Sequence, residues 1–385
     1  MKNFEFANPT KILFGKGQIA KLPQVIPTGA KVLLIFGGGS VKKTGLLGEV
    51  KQVLKNYQLG EFGGIEPNPA YETLMLAVET IRRENYDYLL AIGGGSVIDG
   101  TKFIAAAVPF TQGDPWRIVS EQLPVTEAVP FGTIVTLPAT GSEMNPTAVV
   151  SRLSLKAKLA FASPAVYPRF SVLDPVYTYS LPDRQIGNGV VDAFIHVMEQ
   201  YMTYPVDAKV QDRFAEGLLL TLIEEGPKAL AEPESYDVRA NVMWAATWGL
   251  NGFIGQGVPQ DWATHMIGHE ITALYGLDHA QTLAIVLPAL LTVRKQQKQA
   301  KLLQYAERVW QLTAGDDAER AEQAIAKTKA FFETMGLPTA LSKYDLGAEA
   351  IEAVAASLKQ HGMVKLGENR DITPDVVKKI LEQAL

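Results

Sequence analysis

The chain has 385 residues, about two and a half times the usual length of one domain, so we expect two domains. Hydrophobic residues make up 47% and charged residues 20%, which excludes an intrinsically disordered chain. The formal net charge is −5 and no basic block occurs, which argues against a nucleic-acid or anionic-membrane partner. Because there is no cysteine, disulfides, iron–sulfur clusters, thiol nucleophiles and cysteine-ligated zinc are excluded.

No targeting or membrane segment is recognisable in the sequence. Its opening residues have the features of neither a signal peptide nor an anchor. The most apolar stretch, Leu283–Leu291, is too short to span a bilayer. We therefore expect a cytoplasmic protein with no membrane partner.

The first half of the chain alternates short strand-like runs with helical stretches such as Tyr71–Asn85 and Ile98–Ala107. The runs are rich in Val, Ile and Leu and are bounded by Gly or Pro: Val32–Phe36, Tyr88–Ile92, Gly132–Leu137 and Ser171–Leu173. This alternation predicts an α/β domain whose parallel sheet is covered on both faces. The opening segment, Phe4–Phe14, is expected to add a β-hairpin.

After Pro182 the strand signal disappears and helical periodicity takes over. The predicted helices are Gly187–Thr203, Ala208–Leu222, Arg239–Gly249, Trp262–Leu274, Leu302–Leu312 and Ala318–Met335. The sequence therefore predicts an all-α C-terminal domain, with the boundary between residues 175 and 185.

Two glycine-rich loops follow predicted strands. Gly37–Ser40 comes after Val32–Phe36, Gly93–Ser96 comes after Tyr88–Ile92, and each loop opens a helix. Glycines let the backbone approach a pyrophosphate closely, and the first amides of the helix can bind the anion. One such loop is as often a plain strand–helix turn. Two in tandem strand–helix units favour a Rossmann-like dinucleotide-binding domain.

The sequence around the first loop favours NADP(H) over NAD(H). No acidic residue lies beside this loop to bind a ribose 2′-hydroxyl, and Lys42 and Lys43 follow it directly. Positive charge attracts a 2′-phosphate, although two neighbouring surface lysines need not have a ligand. In the second loop, Asp99 could cap its own helix, orient the loop or contact the cofactor. A third loop, Thr136–Glu143, is rich in small hydroxyls and could complete the cradle.

Asp192 and His196 are spaced i,i+4 on a predicted helix that is apolar on nearly every side, and Glu199 continues the same stripe. A buried carboxylate or imidazole without a partner costs several kcal/mol, on the order of 2–7, so something must satisfy this stripe. A divalent cation would satisfy Asp192 and His196 together.

His265 and His269 repeat the i,i+4 spacing, and His279 follows after a short turn. Three or four imidazoles with one carboxylate suit Zn²⁺ or Fe²⁺ rather than Ca²⁺ or Mg²⁺. A single histidine more often donates to a backbone carbonyl in a core. Four of the five histidines clustering with an aspartate favour a metal site, and the fifth, His361, is assigned no role.

The motifs together resemble those of the iron-containing alcohol dehydrogenase family, and particularly its NADPH-dependent, broad-specificity aldehyde reductase branch, which is butanol-dehydrogenase-like. The matching segments are Gly37–Gly45, Glu66–Thr73, Gly93–Ala106, Thr136–Glu143, Val190–Tyr201 and Gly257–Ala289. They occur in the family's order and extend over nearly the whole chain, so the match is specific.

The resemblance implies a dehydroquinate synthase-like architecture. Residues 1–180 would form the dinucleotide-binding α/β domain and residues 181–385 an all-helical, metal-binding catalytic domain, with catalysis in the cleft between them. It also implies a homodimer that acts on a small aldehyde or alcohol.

Family site residues carry over onto matching positions of this chain. The implied metal ligands are Asp192, His196, His265 and His279. His269 then lies beside the metal, near the nicotinamide, as part of a proton relay, and the metal is either zinc or iron. The implied NADP(H) contacts are Gly38, Gly39, Ser40, Lys43, Asn68, Gly94, Gly95, Ser96, Asp99, Thr136, Leu137, Thr140, Ser142, Asn145, Lys158 and Tyr177. Relatives that prefer NAD often carry Asp at the position of Gly38, which agrees with the electrostatic preference for NADP(H).

The implied reaction is reversible hydride transfer between C4 of NADPH and the carbonyl of a short- to medium-chain aldehyde, with reduction as the working direction. The metal would polarise the carbonyl as a Lewis acid. Phe253 and Ile254 are candidates for an apolar substrate wall, and core packing is equally compatible with both.

Three alternatives have a basis in the same residues. A lyase of the dehydroquinate synthase type would share the fold and the metal. It would need a basic pocket for a phosphorylated, carboxylated substrate, whereas the metal-bearing helices here are poor in Lys and Arg. A metal-dependent hydrolase with structural glycine loops, and a non-enzymatic nucleotide-binding module, are the other two.

Overall fold

All eight β-strands lie in the first half of the chain. The structure, a computed structural model, describes residues 1–385 and divides into two compact units. The α/β unit comprises Ala7–Leu181 and Glu234–Met243, and the helical unit comprises Met1–Phe6, Pro182–Pro233 and Trp244–Leu385. The strands are β1 (Lys11–Phe14), β2 (Lys31–Phe36), β3 (Gln58–Phe62), β4 (Tyr88–Gly94), β5 (Phe131–Leu137), β6 (Thr147–Arg152), β7 (Ala157–Ala162) and β8 (Phe170–Leu173).

Fifteen α-helices complete the secondary structure, together with short 3₁₀ turns. Those before residue 182 are α1 (Leu22–Val25), α2 (Ser40–Lys43), α3 (Leu46–Val53), α4 (Tyr71–Glu84), α5 (Gly95–Ala107) and α6 (Arg117–Ser120). Those after it are α7 (Asp183–Tyr201), α8 (Lys209–Ala231), α9 (Tyr236–Gly249), α10 (Ala263–Tyr275), α11 (His279–Val293), α12 (Gln299–Arg308), α13 (Asp317–Thr334), α14 (Ala348–Gln360) and α15 (Pro374–Gln383).

Six strands form one parallel sheet in the order β1-β8-β5-β4-β2-β3. Both of its faces are covered, as β2 illustrates. Val32 and Leu34 pack into the cluster that contains the apolar side of α3, whereas Leu33 and Ile35 pack into the cluster that contains α4 and α5. A strand that is buried on both faces reads as a continuous apolar run, which is the pattern that identified β2, β4, β5 and β8. The predicted parallel sheet is confirmed.

The opening segment does not form the predicted β-hairpin. Only Lys11–Phe14 is a strand, and it pairs in parallel with β8. Pro9, just before it, has no N–H to give to an antiparallel ladder. Thr10 Oγ1 instead donates to the carbonyl of Pro168 at 2.9 Å, which joins this segment to the chain before β8. The hairpin prediction was wrong because the partner strand is distant in sequence.

Three strands were not predicted from the sequence. β3 is an edge strand that contains Gly60 and Glu61 and is only partly buried, so its hydrophobic pattern is weak. β6 and β7 form a separate antiparallel pair, with Lys156 in the left-handed region (φ 49°) in the connection between them. None of the three strands shows a strict alternation of buried and exposed residues, so the period-2 pattern that indicates a strand is missing.

The C-terminal half is helical, as predicted, but it contains helices that the sequence pattern did not show. α11 includes the apolar stretch Leu283–Leu291 and has Pro288 in its interior. Almost all of its side chains are buried, so it has no polar face to give it helical periodicity. No helix of the structure is both long enough and apolar enough to cross a membrane.

Two helix glycines provide a test of the packing in the helical unit. A Cβ at Gly187 on α7 would lie 2.2 Å from the backbone oxygen of Met335, whereas a Cβ at Gly217 on α8 would meet nothing within 4 Å. We expect Gly187→Ala to lower the free energy of unfolding by about 1–3 kcal/mol, because the backbone must shift to relieve the overlap. Gly217→Ala, the matched control, should raise it by about 0.5–1 kcal/mol. Urea unfolding followed by circular dichroism measures both, and equal effects would contradict the packing described.

Candidate active site

Helix α7 carries three polar residues through an apolar environment. It begins after Pro182, and every residue from Val190 to Tyr201 is buried. Asp192, His196 and Glu199 are 4%, 5% and 2% exposed and follow one another at i, i+4 and i+7, so they share one face of the helix. The polar stripe that the sequence showed is therefore inside the protein.

The other histidines come from α10 and α11. His265 and His269 lie one turn apart on α10, which begins after Trp262 and ends at Gly276, a residue in the left-handed region (φ 72°) that suits glycine. His279 is the first residue of α11. Its position is fixed by the preceding Asp278, which forms a capping box with Gln281.

Asp278 also connects the start of α11 to α7. Its Oδ2 accepts hydrogen bonds from Arg184 Nε and Asn188 Nδ2, each at 2.8 Å. Both donors lie on α7, one to two turns before Asp192. These bonds place His279 relative to Asp192.

Three of the candidate metal ligands meet at one point. Asp192 Oδ1 lies 3.8 Å from His279 Nε2 and 4.0 Å from His265 Nε2, and the ligand atoms of the three residues lie within 4.8 Å of one another. Metal–ligand bonds to nitrogen and oxygen are about 2.0–2.2 Å long in zinc sites, so one ion could reach all three atoms with small side-chain movements. The donor set, one carboxylate and two imidazoles, suits zinc or iron.

His196 and His269 lie beside this group and not within it. His196 Nδ1, a buried atom that makes no hydrogen bond, is 3.4 Å from Asp192 Oδ1, and the ring centroid of His196 is 4.6 Å from that of His265. The ring of His269 is 5.1 Å from that of His279 and 6.3 Å from that of His265. A cation near Asp192 would satisfy the buried nitrogen of His196.

The cluster is closed on one side and accessible on the other. The side chains of Asp192, His196 and His265 are 6%, 6% and 5% exposed, whereas that of His279 is 23% exposed. A catalytic metal site keeps an open position for substrate or water, in contrast to a structural site. The accessible side at His279 is the kind of opening that such a position requires.

Behind His265 lies Glu199, to which the sequence gave no role. Glu199 Oε1 lies 3.0 Å from His265 Nδ1. Burial raises the pKa of Glu199 well above its ordinary value, the Asp261 carboxylate adds to the rise, and Lys298 opposes it. The stripe on α7 was the available signal, since Glu199 continues it beyond Asp192 and His196.

The α/β unit brings the three predicted cofactor loops to the same end of the sheet, where the strands finish. β2, β4 and β5 are neighbours and run in parallel, so the loops that follow them lie at the same end. Open parallel sheets bind their ligands beyond the carboxyl ends of their strands. The three loops are thus adjacent, and the parts of them concerned are Gly38–Lys43, Gly94–Ser96 and Thr136–Thr140.

Glycine is required in the two loops for different physical reasons. A Cβ at Gly94 would lie 2.9 Å from Leu137 Cβ, and one at Gly95 would lie 2.5 Å from Thr140 Cγ2, so the second loop needs glycine to pack against the third. Gly39 has a φ of 104°, which L residues rarely adopt. Gly38 has neither constraint, because its φ lies outside the left-handed region and a Cβ there would meet nothing within 4 Å.

Asp99 orients the third loop and does not cap its own helix. Its Oδ1 accepts from Ser142 Oγ at 2.5 Å, and its Oδ2 accepts from the amide of Val149 at 2.9 Å. Burial raises the pKa of Asp99, and the charge of nearby Lys102 opposes that rise. Of the three roles that the sequence left open, the structure shows loop orientation.

Lys102 is the counter-charge that sequence reasoning missed. Its fully buried Nζ donates to Ser142 Oγ (2.8 Å), Asn145 Oδ1 (3.0 Å) and the carbonyl of Thr147 (2.7 Å). Burial lowers its pKa to about 8, against the opposing effect of Asp99. A lysine three residues after Asp99, just before the apolar run Phe103–Ala107, was the signal available.

The remaining predicted cofactor residues fall into two groups. Asn68 has a backbone in the left-handed region (φ 57°). Its backbone N–H donates to Ser96 Oγ at 3.3 Å, and its side-chain Oδ1 accepts from Lys158 Nζ at 2.8 Å, so the three residues are joined. Tyr177 instead packs against the cluster that covers the α3 side of the sheet. Burial raises the pKa of Tyr177.

An acidic residue is present beside the first loop, contrary to the sequence prediction. β3 places Glu61 against Lys42 at 3.5 Å and in direct ion-pair contact with Lys51. These lysines lower the pKa of Glu61, Lys51 more than Lys42. The prediction was wrong because it counted only residues near the loop in sequence, and β3 was not recognised. The carboxylate of Glu61 is engaged by two cations.

Phe253 and Ile254 lie in different surroundings. The ring of Phe253 contacts the rings of Phe6, Phe214 and Trp248, with centroids 4.8–5.9 Å apart. Ile254 is 2% exposed and lines a small cavity with residues of α7 and α8. Their role as a substrate wall stays a prediction.

The parallel sheet with its glycine loops and the helical unit with its Asp–His cluster indicate a metal- and dinucleotide-dependent dehydrogenase. A sequence model described as iron-containing alcohol dehydrogenase matches residues 9–175, and the C-terminal model of the Fe-containing alcohol dehydrogenase family matches residues 187–385. The chain therefore belongs to the iron-containing alcohol dehydrogenase family and is an oxidoreductase of that family. The resemblance inferred from the motifs is confirmed.

Individual relatives match over the full length. The chain is 62% identical over 386 residues to the NADPH-dependent aldehyde reductase YqhD of Escherichia coli K12, with 100% of both chains covered. It is 40% identical over 390 residues to the probable NADH-dependent butanol dehydrogenase 1 of Bacillus subtilis, again with 100% of both covered. The crystal structure of YqhD from E. coli K-12 has a TM-score of 0.99 at 62% identity and covers 100% of this chain and 99% of that one. These similarities confirm the predicted fold class.

Lys102 provides a test of how the third loop is held. Lys102→Met removes three hydrogen bonds and the cation that acts most strongly on the buried Asp99, which should cost about 3–5 kcal/mol of stability in the α/β unit. We expect faster amide hydrogen exchange in residues 139–149, measured on peptides by mass spectrometry. Lys55→Met, at an exposed lysine of the same unit, is the control and should leave exchange unchanged. Unchanged exchange in both variants would show that Lys102 does not hold the loop.

Proposed function

We propose that this chain is an NADP(H)-linked alcohol dehydrogenase that works as an aldehyde reductase. It transfers hydride reversibly between NADPH and the carbonyl of short- to medium-chain aldehydes. The observation that carries the proposal is the convergence of Asp192, His265 and His279 in the helical unit of a chain that belongs to this family. The NADPH-dependent aldehyde reductase at 62% identity supports the substrate class and the cofactor.

Asp192, His196, His265 and His279 would hold one divalent zinc or iron ion. The donor chemistry, the spacing of three of these residues and the buried Nδ1 of His196 beside Asp192 fit such an ion. When bound, the ion supplies Lewis acidity that polarises a carbonyl oxygen. Asp192 also offsets part of the positive charge in a buried environment.

His269 is the proposed proton-transfer residue. It is 4% exposed and its ring lies next to that of His279. Like His196, it lies outside the group of converging ligand atoms, and the family match supports the different roles of the two, with His196 as a ligand and His269 beside the metal. An imidazole can donate a proton to an alkoxide and recover it from water through a neighbouring group. With His269 outside the ligand set, Asp192, His196, His265 and His279 would hold the metal, and His269 would be available for proton transfer.

NADP(H) would bind across the three loops of the α/β unit. Ser40 and Lys43, with the open space at Gly38, would receive the 2′-phosphate, and Glu61 is already engaged by other lysines. The other contacts are those implied by the family match: Gly39, Asn68, Gly94, Gly95, Ser96, Asp99, Thr136, Leu137, Thr140, Ser142, Asn145, Lys158 and Tyr177. The nicotinamide supplies the hydride.

These assignments give each domain its own role. We propose that residues 1–180 bind the dinucleotide and residues 181–385 bind the metal and carry catalysis. We also propose a cytoplasmic homodimer, for which size-exclusion chromatography with light scattering is the direct measurement.

One experiment tests the proposed activity. The chain is purified, stripped of metal with a chelator, reloaded with Zn²⁺ or Fe²⁺, and mixed with NADPH and butanal while NADPH absorbance is followed. The proposal expects consumption of NADPH that depends on both metal and aldehyde, with butanol as product. Absence of turnover with either metal would overturn it.

The two histidines of α10, His265 and His269, should differ in whether their loss removes the metal. His265→Ala should lose both metal and activity, because it removes one of four ligands. His269→Ala should keep one metal per chain and still bind NADPH, yet lose roughly 10²–10⁴-fold in kcat because proton transfer is impaired. Elemental analysis beside steady-state kinetics separates the two. A metal-free His269→Ala protein would make His269 a ligand.

Gly38 should determine the choice of cofactor. Gly38→Asp adds a carboxylate where nothing obstructs it, so it should weaken NADPH use relative to NADH by roughly 1–3 kcal/mol through repulsion of the 2′-phosphate. Gly48→Asp, at an equally unobstructed glycine on α3, is the matched control. The measurement is kcat/KM for both cofactors. An unmodified chain that uses NADPH and NADH equally would refute the 2′-phosphate assignment.

A further inference from the structure

Glu199 is a buried carboxylate that the proposed reaction leaves without a role. It lies on α7 two turns after Asp192, and its side chain is 2% exposed. Its Oε1 accepts a hydrogen bond from the backbone amide of His265 at 2.9 Å and lies 3.0 Å from Nδ1 of the same residue. One carboxylate oxygen thus contacts both the main chain and the ring of His265.

This double contact fixes the orientation of the imidazole. A hydrogen bond from Nδ1–H to a carboxylate sets the tautomer, so the lone pair is left on Nε2. His265 Nε2 is the atom that faces Asp192 Oδ1, at 4.0 Å. The ring is therefore held with Nε2 directed at the converging ligand atoms.

A buried charge network lies beside Glu199 and reaches its main chain. The backbone amide of Asp261 donates to the backbone carbonyl of Glu199 at 2.9 Å, and Asp261 Oδ1 accepts from the amide of Ala263 at the start of α10. Lys298 Nζ, whose side chain is 2% exposed, contacts Asp261 Oδ2 at 2.7 Å and Glu368 Oε1 at 2.8 Å. A buried lysine and these carboxylates fix the start of α10, and hence His265, against α7.

We propose that Glu199 is a positioning residue for the metal centre, which holds His265 through Nδ1 so that Nε2 is presented to the ion. The inference rests on the proposed function, because it assumes that Asp192, His265 and His279 bind a metal. In metal sites, a carboxylate on the second nitrogen of a histidine ligand orients the ring and increases its basicity. Glu199 occupies that position relative to His265.

A purely structural role for Glu199 would have different consequences. The bond to the His265 amide alone would make Glu199 a capping group for the first turn of α10. Loss of a cap lowers stability but leaves the intrinsic metal affinity of the folded protein unchanged. Metal affinity and the tautomer of His265 therefore separate the two roles.

The test compares zinc affinity in Glu199→Ala and Glu199→Gln with that of the unmodified chain, by competition with a chromophoric chelator. We expect Glu199→Ala to bind zinc about 10–100-fold more weakly. Glu199→Gln keeps the shape and an acceptor oxygen, so it should fold even where the alanine variant does not. The zinc affinity of Glu199→Gln should fall less than that of Glu199→Ala, by up to about 10-fold, because an amide is a weaker acceptor than a carboxylate.

Glu270→Gln is the matched control. Glu270 is also a buried glutamate, it lies on α10, and it contacts a histidine Nδ1, that of His361, at 2.9 Å. His361 is outside the metal cluster, so this variant should keep the zinc affinity of the unmodified chain. Equal weakening by Glu270→Gln and Glu199→Gln would overturn the proposal, because it would show a general effect of removing buried charge.

A second readout is independent of activity. The chain has five histidines, so isotope labelling of histidine gives few imidazole signals. In the zinc-loaded protein we expect the His265 signal, assigned by its loss in His265→Ala, to show a proton on Nδ1 and the metal on Nε2. Ligation through Nδ1, or identical zinc affinity in all Glu199 variants, would overturn the inference alone. An unmodified chain that binds no zinc or iron would overturn the proposed function together with it.

Discussion

The helical unit depends on the constraint that charged and polar groups cannot be buried without partners. α7 is enclosed by apolar neighbours, yet it carries Asp192, His196 and Glu199 in one stripe. Water cannot satisfy them, so their partners must come from other helices. Glu199 contacts the start of α10, and Asp192 lies near the histidines of α10 and α11. The polar stripe therefore determines how the ends of these helices are placed, and the same groups that could bind a metal also specify the fold around it.

The α/β unit solves the same problem with two buried charges that share Ser142 as a hydrogen-bond partner. Asp99 and Lys102 lie one turn apart on a helix that is mostly buried, and between them they bind the third loop and the start of β6. Removing either charge would leave the other buried without its counter-charge, so both are needed to hold the groups that they contact. The glycines of the second loop act sterically in the same direction, because Gly94 and Gly95 allow the third loop to approach. Charge and shape thus act together to position the loops.

The sequence predicted what depends on local pattern and missed what depends on distant partners. Strands that are buried on both faces, such as β2 and β4, and helices with one polar side were found from periodicity. β1 and β3 are edge strands with weak patterns, and their pairing could not be read from residues nearby. For the same reason Glu61 was overlooked beside Lys42, although the two are in contact. The Asp–His cluster was predicted because i,i+4 spacing on an apolar helix is itself a local pattern.

Spacing alone cannot distinguish His265 from His269, which are equivalent by position on α10. What distinguishes them is the set of contacts that each ring makes. The Nδ1 of His265 lies 3.0 Å from Glu199 Oε1, and its Nε2 lies 4.0 Å from Asp192 Oδ1. The ring of His269 lies next to that of His279 and outside the converging group. The proposed metal ligand and the proposed proton carrier therefore lie one turn apart on the same helix, and the carboxylate of Glu199, from another helix, would fix the tautomer of the first.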